Sequence, residues 1–176
     1  MDFMEPLLAA LGKIKDPTLF ADERGYQGEL KSRLDRELAL NISEDDFAAP
    51  QVREEYQKRA DLHGIELRPD IIIHVPFERG VSPTRKDDNY MVILLKRCAG
   101  RTKAMKNFDS LETICSTLNY PVGVSINVAY PKLWIPELPP QVPSSFTLHE
   151  IAVALVNGKP AIQVATRKPG QGGVII

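Results

Sequence analysis

The chain has little of what dedicated redox and metal centres are built from. Among 176 residues there are two cysteines, three histidines and one tryptophan. Cys98 and Cys115 form no Cys-x-x-Cys pair, and no cluster of histidines accompanies them. Thioredoxin-type chemistry and zinc ribbons therefore find no support, and two reduced thiols in a cytoplasmic protein are the expectation. No apolar run reaches the ~18 residues of a membrane-spanning helix. The start, "MDFMEPLLAALGKIKDP", lacks the basic region and small-residue cleavage site of a secretory signal, so an intracellular, non-membrane protein is expected. Charge of one sign is also missing: 22 Lys and Arg stand against 23 Asp and Glu. With a net charge of −1, no global field draws the chain to nucleic acid, and any such binding must come from a local patch. There is no G-x-S-x-G elbow, H-E-x-x-H, Walker loop or G-x-G-x-x-G.

What is present is a mixed pattern of helices and strands on a length that suits one domain. Residues 4–13 suit a short helix with Pro6 in its first turn. Leu30, Leu34 and Leu38 recur every four residues, which predicts an amphipathic helix over 26–40. Val52, Glu54 and Tyr56 alternate with polar neighbours, so a strand is expected at about 51–57, although good helix formers fill 51–62. "DIIIHV" at 70–75 and "NYMVILLK" at 89–96 read as antiparallel neighbours joined by a long polar loop. Phe108, Leu111, Ile114, Cys115 and Leu118 predict a helix over 107–119, and "PVGVSINVAY" predicts a strand over 121–130. Five prolines make 131–145 a surface connector. Asn157-Gly158 then centres a hairpin over 146–167, and the Gly-rich end 168–176 reads as a flexible tail.

Two strand ends could carry chemistry. Residues two apart on a strand share a face, so Leu94 faces with Lys96, and Asp70 with Ile72 and His74. A carboxylate at one strand end and an acid-x-Lys at its neighbour would hold a hard cation beside a phosphate. His74 is expected to be a satisfied core histidine. His63 and His149 have no partners at metal-ligand spacing.

"RPDIIIHVP" followed by "DNYMVILLKR" resembles the core of the PD-(D/E)XK nuclease superfamily, the restriction-endonuclease-like fold. The resemblance covers about residues 26–130 and rests on Pro69-Asp70 at a strand start, the Asn89-led apolar strand, Lys96 at its end, and the helix and strand that follow. It implies an α/β fold, a mixed sheet flanked by helices, here with an added C-terminal hairpin. It also implies hydrolysis of DNA, with RNA second, by Mg²⁺ or Mn²⁺ held at Asp70, with Lys96 as catalytic lysine and Glu29 as an auxiliary acid from the preceding helix. The chain departs from the pattern at Leu94, where the family has an acid. Either the acid has migrated, with Glu29, Glu54, Glu55 and Glu112 as candidates, or the domain has kept the fold and lost catalysis.

The second expectation is a binder of nucleic acid or of a protein partner. Five of the eleven residues 96–106 are Lys or Arg and none is acidic, with Arg97, Arg101, Lys103 and Lys106 following Lys96. Arg79, Arg85 and Lys86 lie in the loop between the two strands. Such clusters neutralise phosphates. A third expectation is a homodimer through the C-terminal hairpin.

Overall fold

The computed structural model describes residues 2–40, 50–54, 66–75, 89–137, 145–170 and 174–175. Its centre is a mixed seven-stranded sheet whose strands lie side by side in chain order. The strands are β1 (Gln51–Glu54), β2 (Ile71–His74), β3 (Asn89–Arg97), β4 (Val122–Val128), β5 (Thr147–Val156), β6 (Lys159–Arg167) and β7 (Val174–Ile175). β1, β2 and β3 form an antiparallel meander, β3, β4 and β5 run parallel, and β5, β6 and β7 are antiparallel again. Among the described residues three helices flank the sheet: α1 (Met4–Gly12), α2 (Glu23–Ala39) and α3 (Arg101–Leu118).

The unbroken apolar runs are explained by burial on both faces. Ile71, Ile73, Met91, Ile93, Leu95, Val124, Ile126 and Val128 pack beneath α1 and α2. Their alternating neighbours Ile72, Val92 and Leu94 pack with Ala104, Phe108, Leu111 and Ile114 of α3. Each such side chain contributes about 1.5–3 kcal/mol on burial. The expected strands at 70–75, 89–96 and 121–130 are all present within a residue or two, and β2 and β3 are antiparallel as expected.

Three boundaries differ from the sequence reading. α2 starts at Glu23 rather than 26, because the Asp22 side chain accepts the Arg24 backbone N–H and caps the helix. α3 starts at Arg101 rather than 107, with Ala104 extending its buried stripe, so the basic residues 101–106 form its first turns instead of preceding it. The tail read as flexible sets Val174 and Ile175 against Thr166 and Ala165 of β6. The turn of the β5–β6 hairpin is Asn157-Gly158, both with positive φ (51° and 71°), as a two-residue I′ connection requires. Among the described residues no helix is long and apolar enough to cross a membrane.

Gly123 marks where α3 and the 145–147 segment close most tightly on β4. A Cβ there would meet Cys115 Sγ and a Phe146 ring carbon, each at 3.0 Å. Gly123→Ala is expected to cost about 1–3 kcal/mol through overpacking, read as a fall in the denaturant midpoint at unchanged slope.

Candidate functional site

The site grows from the start of α2. Glu23, Gln27, Leu30 and Leu34 follow at spacings of four, three and four, so they line one face of the helix. Leu30 and Leu34 are buried, and Gln27 is buried with them. The Gln27 amide donates to the backbone carbonyl of Asp70 at 3.1 Å, tying α2 to the start of β2. Glu23, one turn earlier, reaches past the sheet to the end of β3.

The β2–β3 register pairs Ile71 with Ile93 and Ile72 with Val92. Carried one residue further, it sets Asp70 opposite Leu94. The Asp70 carboxylate turns onto the β3 backbone, where Oδ2 accepts the Leu95 N–H at 2.7 Å. Lys96 Nζ lies 3.9 Å from that same oxygen and 3.1 Å from Glu23 Oε1. The other Glu23 oxygen accepts the Arg97 N–H at 2.8 Å, and the Arg97 guanidinium donates to the Phe20 carbonyl at 2.9 Å. The side chains of Asp70, Lys96 and Glu23 are 20%, 37% and 39% exposed, so the cluster sits at the open edge of the sheet. At such exposure each ion pair is worth about 0–1 kcal/mol. The backbone bonds, not the charges, fix the geometry.

A divalent cation does not fit the residues as they stand. The oxygen of Asp70 nearest Lys96 is already bonded to a backbone N–H, and both Glu23 oxygens are engaged. The Lys96 ammonium stands between the two carboxylates, where a metal would bridge them. Leu94 supplies no oxygen. It is 7% exposed and packed among Val92, Ala104 and Phe108. Among the described residues no three His, Cys, Asp or Glu side chains form a metal-binding group.

Asp70 and Lys96 thus come together as their sequence positions suggested, and Glu29 is placed elsewhere. It pairs with Arg33 at 2.6 Å, four residues along α2. Two residues beyond Gln27, it projects from a different side of the helix. Glu112 is exposed on α3. Glu55 and the side chain of Glu54 lie outside the described residues. His74 occupies the far end of β2, opposite Asn89 across a register shift.

Compared with family models, curated proteins and solved structures, the chain matches none.

The basic residues divide into engaged and open. Arg97 is held by Phe20, and Arg101 pairs with Glu137 at 3.1 Å. Lys103 and Lys106 are exposed on the first turns of α3. Three residues apart, they share a helix face. The first turn of α3 carries no acid, and its N-cap, Gly100, offers no side chain to its N–H groups. Arg79, Arg85 and Lys86 lie outside the described residues.

Two residues with positive φ also lie at this edge. Cys98 and Ala129 have φ of 49° and 61° at the ends of the parallel strands β3 and β4. Non-glycine residues adopt this region at a cost, and only where their surroundings enforce it. Here the Cys98 N–H bonds Val128 O and the Ala129 N–H bonds Val153 O, each at 2.8 Å. In open α/β sheets the carboxyl ends of parallel strands are where ligands bind. Glu23, Gln27 and Glu137 are the members of this edge that the sequence did not point to. For Glu23 the signal was present: Asp22 as cap, then the 23, 27, 30, 34 spacing.

Proposed function

We propose that the chain is a catalytically degenerate nuclease-fold domain that binds the phosphate backbone of nucleic acid, DNA before RNA, without hydrolysing it. The observation that carries this reading is the pairing at the sheet edge. Lys96 takes the position between Asp70 and Glu23, and Leu94 fills the acid's place with apolar packing. The order α2, β1, β2, β3, α3, β4 supports kinship with PD-(D/E)XK phosphodiesterases, whose resemblance rests on Asp70 and Lys96. Lys103 and Lys106 supply open positive charge beside that edge.

Binding of this kind depends on counterion release, so affinity falls as salt rises. The test is fluorescence anisotropy of a labelled DNA duplex titrated between about 50 and 200 mM salt. Wild type is expected to bind with a negative salt slope. Lys103→Ala with Lys106→Ala is expected to weaken binding to all sequences alike and to flatten the slope by about two. Absence of binding at the lowest salt, or a slope unchanged in the double variant, would remove the proposal.

The convergence of Asp70 and Lys96 favours a second reading, an active Mg²⁺- or Mn²⁺-dependent phosphodiesterase. In that reading Glu23 would replace the acid absent at 94, and with Lys96 drawn away Asp70 and Glu23 would hold a cation that polarises the phosphate.

A further inference from the structure

The segment from Tyr130 to Glu137 crosses the same edge and is held from beneath by one buried acid. Glu150, on β5, is 1% exposed. Its Oε2 accepts the backbone N–H groups of both Trp134 and Ile135, at 2.5 and 2.6 Å. This caps the 3-10 turn Ile135–Glu137 from across the fold. The Trp134 ring stacks on Tyr130, with centroids 6.4 Å apart, and lies under Lys132 Nζ at 3.8 Å. Its indole N–H donates to Ala99 O at 3.3 Å. At the end of the segment Glu137 holds Lys132 at 3.0 Å and Arg101 at 3.1 Å. While the segment is seated, those two cations are neutralised.

We propose that Glu150 is a proton-controlled clasp on this segment, closed in acid and loosened towards neutral pH, and that its opening draws Glu137 away from Arg101 and leaves that cation to an anionic polymer. Only the second half rests on the nucleic-acid reading above.

The sign follows from the site. Burial raises the Glu150 carboxyl from the ordinary 4.5 to about 7, against the lowering effect of the Ile135 and Trp134 N–H bonds, with Glu137 adding a small rise. The seated segment therefore binds a proton more tightly than the open one. Its advantage is full below the ordinary carboxylate value, falls as pH rises from there, and is gone above about 7. Within that window the closed-to-open ratio drops about tenfold per pH unit. The charged groups around the carboxyl are Glu137 on the 3-10 turn with its partners Arg101 of α3 and Lys132, and Arg167 of β6, which shares the sheet face with Ala165. β4 offers only Ser125 and Asn127, which are uncharged. His149, the next residue on β5, faces the other side and bonds Thr166 Oγ1 at 2.8 Å.

Trp134 is the sole tryptophan, so its fluorescence reports the clasp without any ligand. Acrylamide quenching of the full chain is followed from pH 5 to 8. The expected result is a quenching constant that rises severalfold up to about pH 7 and then levels, with Glu150→Gln flat across the range. A flat wild-type profile overturns the clasp, as does a Glu150→Gln profile that still rises, which would assign the transition to another group such as His149. If Glu150→Gln does not fold, His149→Gln takes its place: a rise that survives in it supports the clasp, and a rise that it abolishes overturns it. Duplex binding is then compared at pH 5.5 and 7.5. A wild-type gain at 7.5 that Glu150→Gln lacks supports the release of Arg101 from Glu137. Quenching that rises without such a gain overturns the release of Arg101 and leaves the clasp standing.

Discussion

Leu94→Glu is expected to destabilise the protein by about 3–5 kcal/mol and to make its melting temperature rise on addition of Mn²⁺, which that of wild type does not. Leu94 is packed against α3 and nearly closed to solvent. A carboxylate there is an uncompensated buried charge, and such a charge costs that much. For a chain of this length the fall is roughly 10 °C. The register that sets Asp70 opposite residue 94 places the new carboxylate on the same face as Asp70. Directly opposed side chains lie about 4.5–5.5 Å apart at Cβ, close enough to share a cation. Metal that binds the folded variant restores about 2.7 kcal/mol at a hundredfold excess over Kd. Thermal unfolding with and without Mn²⁺, on both proteins, reads the two effects separately. A variant whose melting point ignores Mn²⁺ would mean that the missing acid is not what withholds the metal.

Asn127→Ala is expected to lower stability by about 2–4 kcal/mol and to increase the solvent access of Trp134. Asn127 is buried at the end of β4, and its amide makes a two-way clasp on Ala99: Oδ1 accepts the N–H at 2.8 Å and Nδ2 donates to the carbonyl at 2.9 Å. Ala99 O also takes the Trp134 indole N–H. The alanine variant leaves a buried N–H without its acceptor and loses a donor to the carbonyl, each worth about 1–3 kcal/mol. Asn127→Asp keeps the acceptor but buries a carboxylate whose other oxygen faces the Ala99 carbonyl, and is expected to cost at least as much as the alanine variant. Denaturant melts give the energies, and acrylamide quenching at fixed pH gives the solvent access. Unchanged quenching would mean that Ala99 does not anchor the segment.

The parts of the fold set by short-range pattern could be read in the sequence. The isoleucines of β2 and the run Met91–Leu95 are buried on both faces, and the three-and-four spacing of Phe108 to Leu118 is the inner stripe of α3. The nearness of Asp70 and Lys96 followed from the antiparallel order of β2 and β3. What the sequence hid depended on long-range contacts. Glu23 meets Lys96 across 73 positions of sequence: its cap and spacing place it on the inner face of α2, but nothing local names its partner, whereas Glu29 has Arg33 one turn away. Glu150 reads as a polar residue in a half-exposed strand until the connector closes over it. The same closure turns Arg101 from an open charge into half of a pair with Glu137.

The measurement closest to the central claim is a cleavage assay on supercoiled plasmid and single-stranded DNA with Mg²⁺ or Mn²⁺, comparing wild type with Lys96→Ala. With Lys96 between the carboxylates and Leu94 supplying no oxygen, wild type is predicted to bind the DNA and to cut it no faster than Lys96→Ala. Metal-dependent cutting that Lys96→Ala abolishes would contradict the account and make Glu23, Asp70 and Lys96 an active centre.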